Sequence, residues 1–294
     1  MGARFEPHLV RLLGELCEPH YQILDVGANL GLTALLFSQL APAGRVAAIE
    51  PVPASYELLA RNLAYNRCTN VSAFPFAASA CTATLRMECP AWFLAGAHVL
   101  PEVEDFPNTA TVEVPARRLD DEFAQLGLQG LDLIKIDTEG YELEVLAGAA
   151  QLIEKYRPTV LLEMNHYCLN ILRRLSLPEF RERICAIFPS VHAVDRDGVF
   201  VDFADPAGWR QVQHAHVVHG RFGNLVAGFD RARIMRSLAR AGEMLIRPGV
   251  GRKVAGYVRS LSRNYLLPVR WLRQQWCSRS AISHGKPHEQ ARIT

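Results

Sequence analysis

Residues 21–31 read YQILDVGANLG, and the reading of this stretch decides the fold. Ile23, Leu24 and Val26 form an apolar run of strand length that carries Asp25 within it. The chain then turns through Gly27-Ala28-Asn29-Leu30-Gly31, and Leu32 to Leu40 (LTALLFSQL) has the composition of a helix. A strand, a glycine turn and a helix in succession expose backbone N–H groups and the positive end of a helix dipole. That junction suits a nucleotide-like ligand lying over the C-terminal edge of a parallel sheet. A dinucleotide fingerprint places glycines at its first, third and sixth positions. Here those positions hold Gly27, Asn29 and Leu32, so the pattern is D-x-G-x-N-x-G with the acid inside the strand.

Working outward, Val46 to Ile49 (VAAI) reads as a second strand that ends at Glu50-Pro51. An acid at this point in a doubly wound fold holds a ribose diol, because two carboxylate oxygens accept from two hydroxyls; the alternative is a solvated strand-end acid. Ser55 to Asn66 reads as a helix with Ser55 as N-cap, and Val71 to Ala78 as a third strand. Ala77-Ala78-Ser79 are small enough to admit an adenine ring. Residues 80–112 read as an insertion or hairpin region beside the cleft, followed by an alternating edge strand (TVEVP, 111–115) and a short helix from Arg118 to Leu126. The stretch 131–146, LDLIKIDTEGYELEVL, is a strand ending at Asp137 and then a helix; PTVLLE (158–163) is a fifth strand before Met164-Asn165-His166-Tyr167. A mixed helix (171–188), a hairpin around Asp197-Gly198 and a last edge strand (221–229) complete the core, and Phe5 to Leu16 carries a helical stripe. Strands alternating with helices at this interval imply an α/β, doubly wound parallel sheet.

With DVGANLG, IEPVP, LIKIDTEGYELEVLAGA and PTVLLEMN in place, the chain resembles the FkbM-type family of S-adenosylmethionine-dependent methyltransferases, closely over residues 20–166 and loosely over 167–229. The resemblance implies a Rossmann-like sheet, mostly parallel with an antiparallel C-terminal edge. It implies S-adenosylmethionine as cofactor and a hydroxyl of a saccharide, glycolipid or polyketide-like metabolite as acceptor. By resemblance Asp25, Gly27, Ala28, Asn29 and Gly31 hold the methionine part, Glu50 and Pro51 the ribose, and Ala78 and Ser79 the adenine. Asp137 would face the methionine amino group or the acceptor.

Methyl transfer from a sulfonium is an in-line displacement, in which alignment supplies much of the rate. An alcohol must also lose its proton, so a base within reach is useful. His166, Asp137 and Glu139 are the candidates. His166 reads equally as a loop histidine, and Glu139 as a turn acid. Lys135 shares the sheet face of Asp137, where it holds a carboxylate, the acceptor, or a structural ion pair. A metal-assisted mechanism would want several oxygen ligands. Asp137 and Asn165 suit it, but Met164 stands where a further acid is needed and Glu163 should point to the other strand face, so no metal is expected. His214, His216 and His219 read as part of a half-buried edge strand rather than as a metal site. Two other readings stay open: a nicotinamide-dependent oxidoreductase, disfavoured by Asn29 and Leu32, and a non-catalytic scaffold.

Composition, with 49% apolar and 21% charged residues over 294 positions, is that of a globular protein. Seven scattered cysteines without a C-x-x-C pair argue against a disulfide framework and for a reducing, cytoplasmic compartment. The N-terminus lacks the apolar run of a secretory signal, and Glu6 stands where a myristoylation motif needs Ser or Thr. The net charge of +2 conceals an asymmetry: residues 231–294 hold 14 Arg and Lys against 2 Glu. The expected division is therefore a methyltransferase-like domain over 1–229 and a basic amphipathic helical tail over 230–294. Its stripes (Ile234, Leu238, Ala241, Leu245; Val254, Val258, Leu261, Tyr265), with Trp271 and Trp276, suit an anionic inner membrane face. They equally suit packing on the acidic body or self-association. No RNA-binding motif accompanies the charge, so nucleic acid is not an expected partner.

Overall fold

The structure, a computed structural model, describes residues 6–89, 97–100 and 110–246. Its centre is an eight-stranded sheet. β1 (Gln22–Val26) pairs in parallel with β2 (Arg45–Ile49) on one side and β8 (Leu133–Ile136) on the other; β3 (Val71–Phe74) and β9 (Thr159–Glu163) extend it in parallel. β10 (Ser190–Val194), β11 (Phe200–Asp202) and β12 (Asn224–Gly228) complete the order β11-β10-β12-β9-β8-β1-β2-β3, and every pairing beyond β9 is antiparallel. The expected α/β doubly wound sheet with an antiparallel C-terminal edge is therefore observed.

Near-continuous apolar strands mark a sheet covered on both faces. Alternate residues feed two cores. Ile23, Leu133 and Val226 join α1 (Pro7–Leu16), α2 (Leu32–Leu40) and α9 (Arg231–Ile246) on one face, where α3 (Pro53–Tyr65) also packs against α2. Leu24, Ile134 and Leu162 meet α5 (Glu142–Gly148), α6 (Ala150–Tyr156), α7 (Leu177–Ile187) and α8 (Pro206–His219) on the other.

Five expectations are corrected. The third strand is not continuous to Ala78: it stops before Pro75, which has no amide to donate, and β4 (Ala77–Ala78) leaves for a second sheet. That sheet, β4-β7-β5-β6, forms from β5 (Ala83–Glu88) and β6 (His98–Val99), within the region read as an insertion or hairpin, and from β7 (Thr111–Arg117), which is not the edge strand expected there but is paired on both sides by β4 and β5. Ser55 lies inside α3, which begins at Pro53 with Val52 as cap. The histidine run 214–219 is helical: the Asp205 carboxylate caps α8 by accepting from the Gly208 amide at 2.8 Å, Pro206 opens it and left-handed Gly220 closes it. Finally, β12 is internal, its Leu225 to Gly228 buried between β9 and β10, and the hairpin strand β11 takes the edge.

Ile234, Leu238 and Ala241 of α9 are buried with Leu9, Leu12 and Leu13 of α1, and the Ser237 hydroxyl donates to the Glu15 carbonyl at 2.8 Å. Three of the four residues in the first apolar stripe assigned to the tail therefore face the protein itself. The second stripe and both tryptophans lie outside the described residues, among which no helix is long and apolar enough to cross a membrane. Leu238→Ala should lower unfolding free energy by about 2–4 kcal/mol, and Arg236→Ala, on the exposed side of α9, by under about 0.5 kcal/mol. Urea denaturation of the two variants checks this.

Candidate active site

The C-terminal ends of β1, β2, β8 and β9 open into a cavity of about 360 Å³. Its floor is tied by one ammonium. Lys135 on β8 is 4% exposed; its Nζ donates to the Gly27 carbonyl at 3.0 Å and lies 3.1 Å from an Asp137 oxygen and 3.6 Å from Asp25. Burial opposes the charge on Lys135, but Asp137 and Asp25 outweigh it and raise its proton affinity above the usual lysine value. Asp25 is fully buried, which raises its pKa, while Lys135 and the Thr33 hydroxyl, donating at 2.7 Å, work to keep it ionised.

Gly27 adopts φ +74°, and a Cβ there would fall 1.8 Å from the Asp137 carbonyl oxygen. Only glycine lets β1 and β8 end so close together. Glu50 fixes the next corner: its oxygens accept from the Asn29 amide at 2.8 Å and the Val52 amide at 2.9 Å. Burial pushes Glu50 up to about 7 against those two hydrogen bonds. The remaining lone pairs of the same oxygens are suited to a ribose diol.

Beyond Lys135 stand three acids. The parallel register sets Lys135 beside Leu161, so two residues later Asp137 and Glu163 emerge on one face. The expectation that Glu163 points away is thereby corrected: Glu163 lines the cavity and Met164 is buried. Burial, reinforced by the Asp137 and Glu139 charges, raises Glu163 well above the usual carboxylate value, which favours its protonated form beside Asp137. Burial works against an Asp137 charge too, yet Lys135 and a hydrogen bond from Glu163 hold Asp137 below the usual carboxylate value. Glu139, at φ +52°, accepts from Asn165 Nδ2 at 3.1 Å and from Cys168 Sγ at 3.2 Å, and burial raises its pKa. Oxygens of Asp137, Glu139 and Glu163 lie within 4.8 Å of one another, the one grouping among the described residues with the density a hard cation needs.

Of the residues singled out from sequence, Gly27, Ala28, Asn29, Glu50 and Pro51 line the cavity, as do Ala78, Lys135, Asp137 and Glu139. Asp25 lies just beneath. Gly31 caps α2 in a left-handed conformation against Leu59, and Ser79 is behind the wall, its hydroxyl 3.1 Å from that of Tyr141. His166 is outside the lining; its ring meets His216 edge-on at 4.9 Å, because the turn after β9 carries it toward α8. Sequence reasoning passed over Thr33 and Glu142, and weighed Glu163 as a metal ligand on the wrong strand face. Glu142 is 1% exposed, and one of its oxygens takes the Thr138 amide and hydroxyl and the Gly140 amide, each at 3.1 Å, so it pins the Asp137–Tyr141 turn. The signal available was an acid two residues after the glycine of the T-E-G-Y turn.

The family described as "Methyltransferase FkbM domain" matches residues 25–182. "Methyltransferase sdnD" of Sordaria araneosa is 31% identical over 153 residues, 43% of this chain and 59% of that protein. "2-O-methyltransferase NoeI" of Sinorhizobium fredii is 28% identical over 159 residues, 50% of this chain and 65% of that protein. The chain thus spans less than two thirds of either relative. Among solved structures, methyltransferase FkbM from Methylobacillus flagellatus superposes with a TM-score of 0.44 at 16% identity, over 72% of this chain and 44% of that one.

If Glu50 grips a ribose as its carboxylate, binding of S-adenosylhomocysteine should weaken as pH falls below about 7, approaching tenfold per unit. In Glu50→Gln the slope should flatten; calorimetric titration between pH 5.5 and 8 reads it. Stability moves the other way. The folded state retains a proton that the unfolded chain sheds, so unfolding free energy should decline as pH rises from the usual carboxylate range to about 7.

Proposed function

Since the chain belongs to the Methyltransferase FkbM domain family, we propose that it is an S-adenosylmethionine-dependent O-methyltransferase acting on a hydroxyl of a saccharide, glycolipid or polyketide-like acceptor. The observation that carries this reading is the set of carboxylates at the strand ends. Glu50, directly after β2, is the carboxylate suited to the ribose, and Asp25 and Asp137 share the Lys135 ammonium beside Gly27, an environment biased toward a cationic ligand. Bound there, the cofactor would supply an electrophilic methyl for an acceptor oxygen, with a neutral thioether as the leaving group.

The protein's share is placement and proton handling. Gly27 and Asn29 shape the turn that faces the methionine moiety, and Ala78 with Met87 and Val99 makes an apolar wall on the β3 side for the base. Asp137, 40% exposed and ionised, and Glu139, held by Asn165 and Cys168, are the carboxylates positioned to take the hydroxyl proton. The relative described as a 2-O-methyltransferase favours oxygen as the accepting atom. The apolar stripe of α9 turned inward speaks for a tail that begins by packing on the body; a membrane or self-association role for the tail rests with residues beyond 246.

Calorimetry against S-adenosylmethionine and a nicotinamide dinucleotide decides between the two cofactor readings. Micromolar binding of the methyl donor alone is expected, and binding of the dinucleotide alone contradicts the proposal. Turnover is read by mass spectrometry of a metabolite extract incubated with protein and donor, seeking a product heavier by one methylene. A donor that binds without yielding such a product favours a scaffold.

A further inference from the structure

Exposed apolar side chains are spread unevenly over this molecule. Six large ones stand out among the described residues: Tyr65, Tyr167, Ile171, Val199, Val217 and Val218, each 44% exposed or more. Five of them fall on three neighbouring segments. Tyr167 and Ile171 lie in the short helical turn after β9, Val199 in the turn between β10 and β11, and Val217 and Val218 at the end of α8. β12 runs against both β9 and β10, so those two strands share a direction. Their C-terminal turns therefore share an edge with the end of α8, where β12 begins. Contacts tie the segments together. The Met164 amide donates to the Gly223 carbonyl at 2.8 Å, the His166 and His216 rings meet at 4.9 Å, and Arg221 Nε donates to Asp195 at 3.0 Å. The cavity opens on this same edge of the sheet. Tyr65 closes α3 ahead of β3, at the opposite edge.

We propose that this edge, made by residues 166–174, 195–199 and 214–221, docks the protein on the surface of an anionic lipid bilayer. Charge selects the partner. The exposed arginines of these segments are Arg174, Arg196 and Arg221, against Asp197 as their exposed acid, and Asp195 is buried beneath Arg221. The chain adds to the same side. α9 runs to this edge, where a Cβ on Gly242 would stand 3.1 Å from the Gly198 carbonyl oxygen, and residues 247–294 carry ten Arg and Lys against Glu289. A second copy of this face, or the chain's own basic segment, would set positive charge on positive charge, whereas a layer of anionic headgroups is complementary. The apolar side chains separate a bilayer from other polyanions. Isoleucine and valine gain nothing from a phosphodiester backbone, but at a lipid interface they leave water while the arginines stay among the headgroups. Tyr167 suits that boundary, with an apolar ring and a polar tip. A docked molecule carries the mouth of its cavity on the lipid side, whichever cofactor the cavity holds.

Full-length protein is sedimented with vesicles of phosphatidylcholine alone and of phosphatidylcholine carrying about 30% phosphatidylglycerol. Binding to the anionic vesicles should exceed binding to the neutral ones about tenfold or more, and should fall about tenfold as salt rises from about 0.1 to about 0.5 M. The triple variant Ile171→Ser, Val217→Ser, Val218→Ser should weaken anionic-vesicle binding about tenfold, and Arg196→Gln about fivefold. Both should keep the wild-type melting temperature, because all four side chains are exposed. Should the serine variant melt early, Arg196→Gln carries the decision alone. Tyr65→Ser, as exposed but at the far edge, should bind vesicles as wild type does. The proposal is overturned if the wild-type protein ignores anionic vesicles or binds neutral ones equally well. It is also overturned if the serine variant and Arg196→Gln both bind as wild type, which leaves the contact to residues 247–294. Single-stranded RNA is the contrasting polyanion: RNA that displaces the vesicles, and binds the serine variant undiminished, makes this edge a nucleic-acid surface instead.

Discussion

One buried ammonium holds the site together. Lys135 touches Asp25, Asp137 and the Gly27 carbonyl, and so links the ends of β1 and β8 at the point where the chain must open for a ligand. Removing such charges from water is costly, and the pairings offset that cost only when geometry is close and the remaining polar atoms are satisfied. Thr33 satisfies one oxygen of Asp25, while the other, 3.6 Å from the Lys135 ammonium, has no hydrogen-bond partner among the described residues. The arrangement stays short of positive charge: two carboxylates divide one lysine, with Glu50 and Glu139 nearby. A cleft built this way favours a ligand that carries its own cation, as a sulfonium with an amino group does.

The same constraint explains the glycine. With β1 and β8 drawn together by Lys135, the Asp137 carbonyl lies where a Cβ of residue 27 would stand, and the left-handed turn at Gly27 follows. Glu50 performs the equivalent task for β2 by accepting the Asn29 and Val52 amides, so the turn is fixed from both sides before any ligand arrives. Farther out, the second sheet supplies Ala78, Met87 and Val99 on one flank, and α1 with the β10–β12 elements supplies the polar flank. α9 braces α1 from outside through Ile234 and Leu238.

What was legible in the sequence followed local signals. The apolar runs at 22–26, 133–136 and 159–163, and the acids and glycines at their C-terminal ends, place a parallel sheet and one crevice, because a strand buried on both faces and a glycine turn each leave a pattern within a few residues. Glu163 was not legible that way. Its direction depends on the register between β8 and β9, a property of two segments some 26 residues apart. The histidine run misled because its alternation of apolar and polar residues was weighed above the Asp205-Pro206 start and Gly220 stop that make α8 a helix. The internal position of β12 and the inward face of α9 are likewise decided by what packs against them, which no single segment encodes.

The most direct measurement is a crystal structure of the protein with S-adenosylhomocysteine bound. The account requires the ribose hydroxyls within hydrogen-bond distance of Glu50, the base against Ala78 and Met87, and the sulfur on the Asp137 side of Gly27. A nucleoside bound elsewhere, or one in this cavity with its ribose turned away from Glu50, would contradict it.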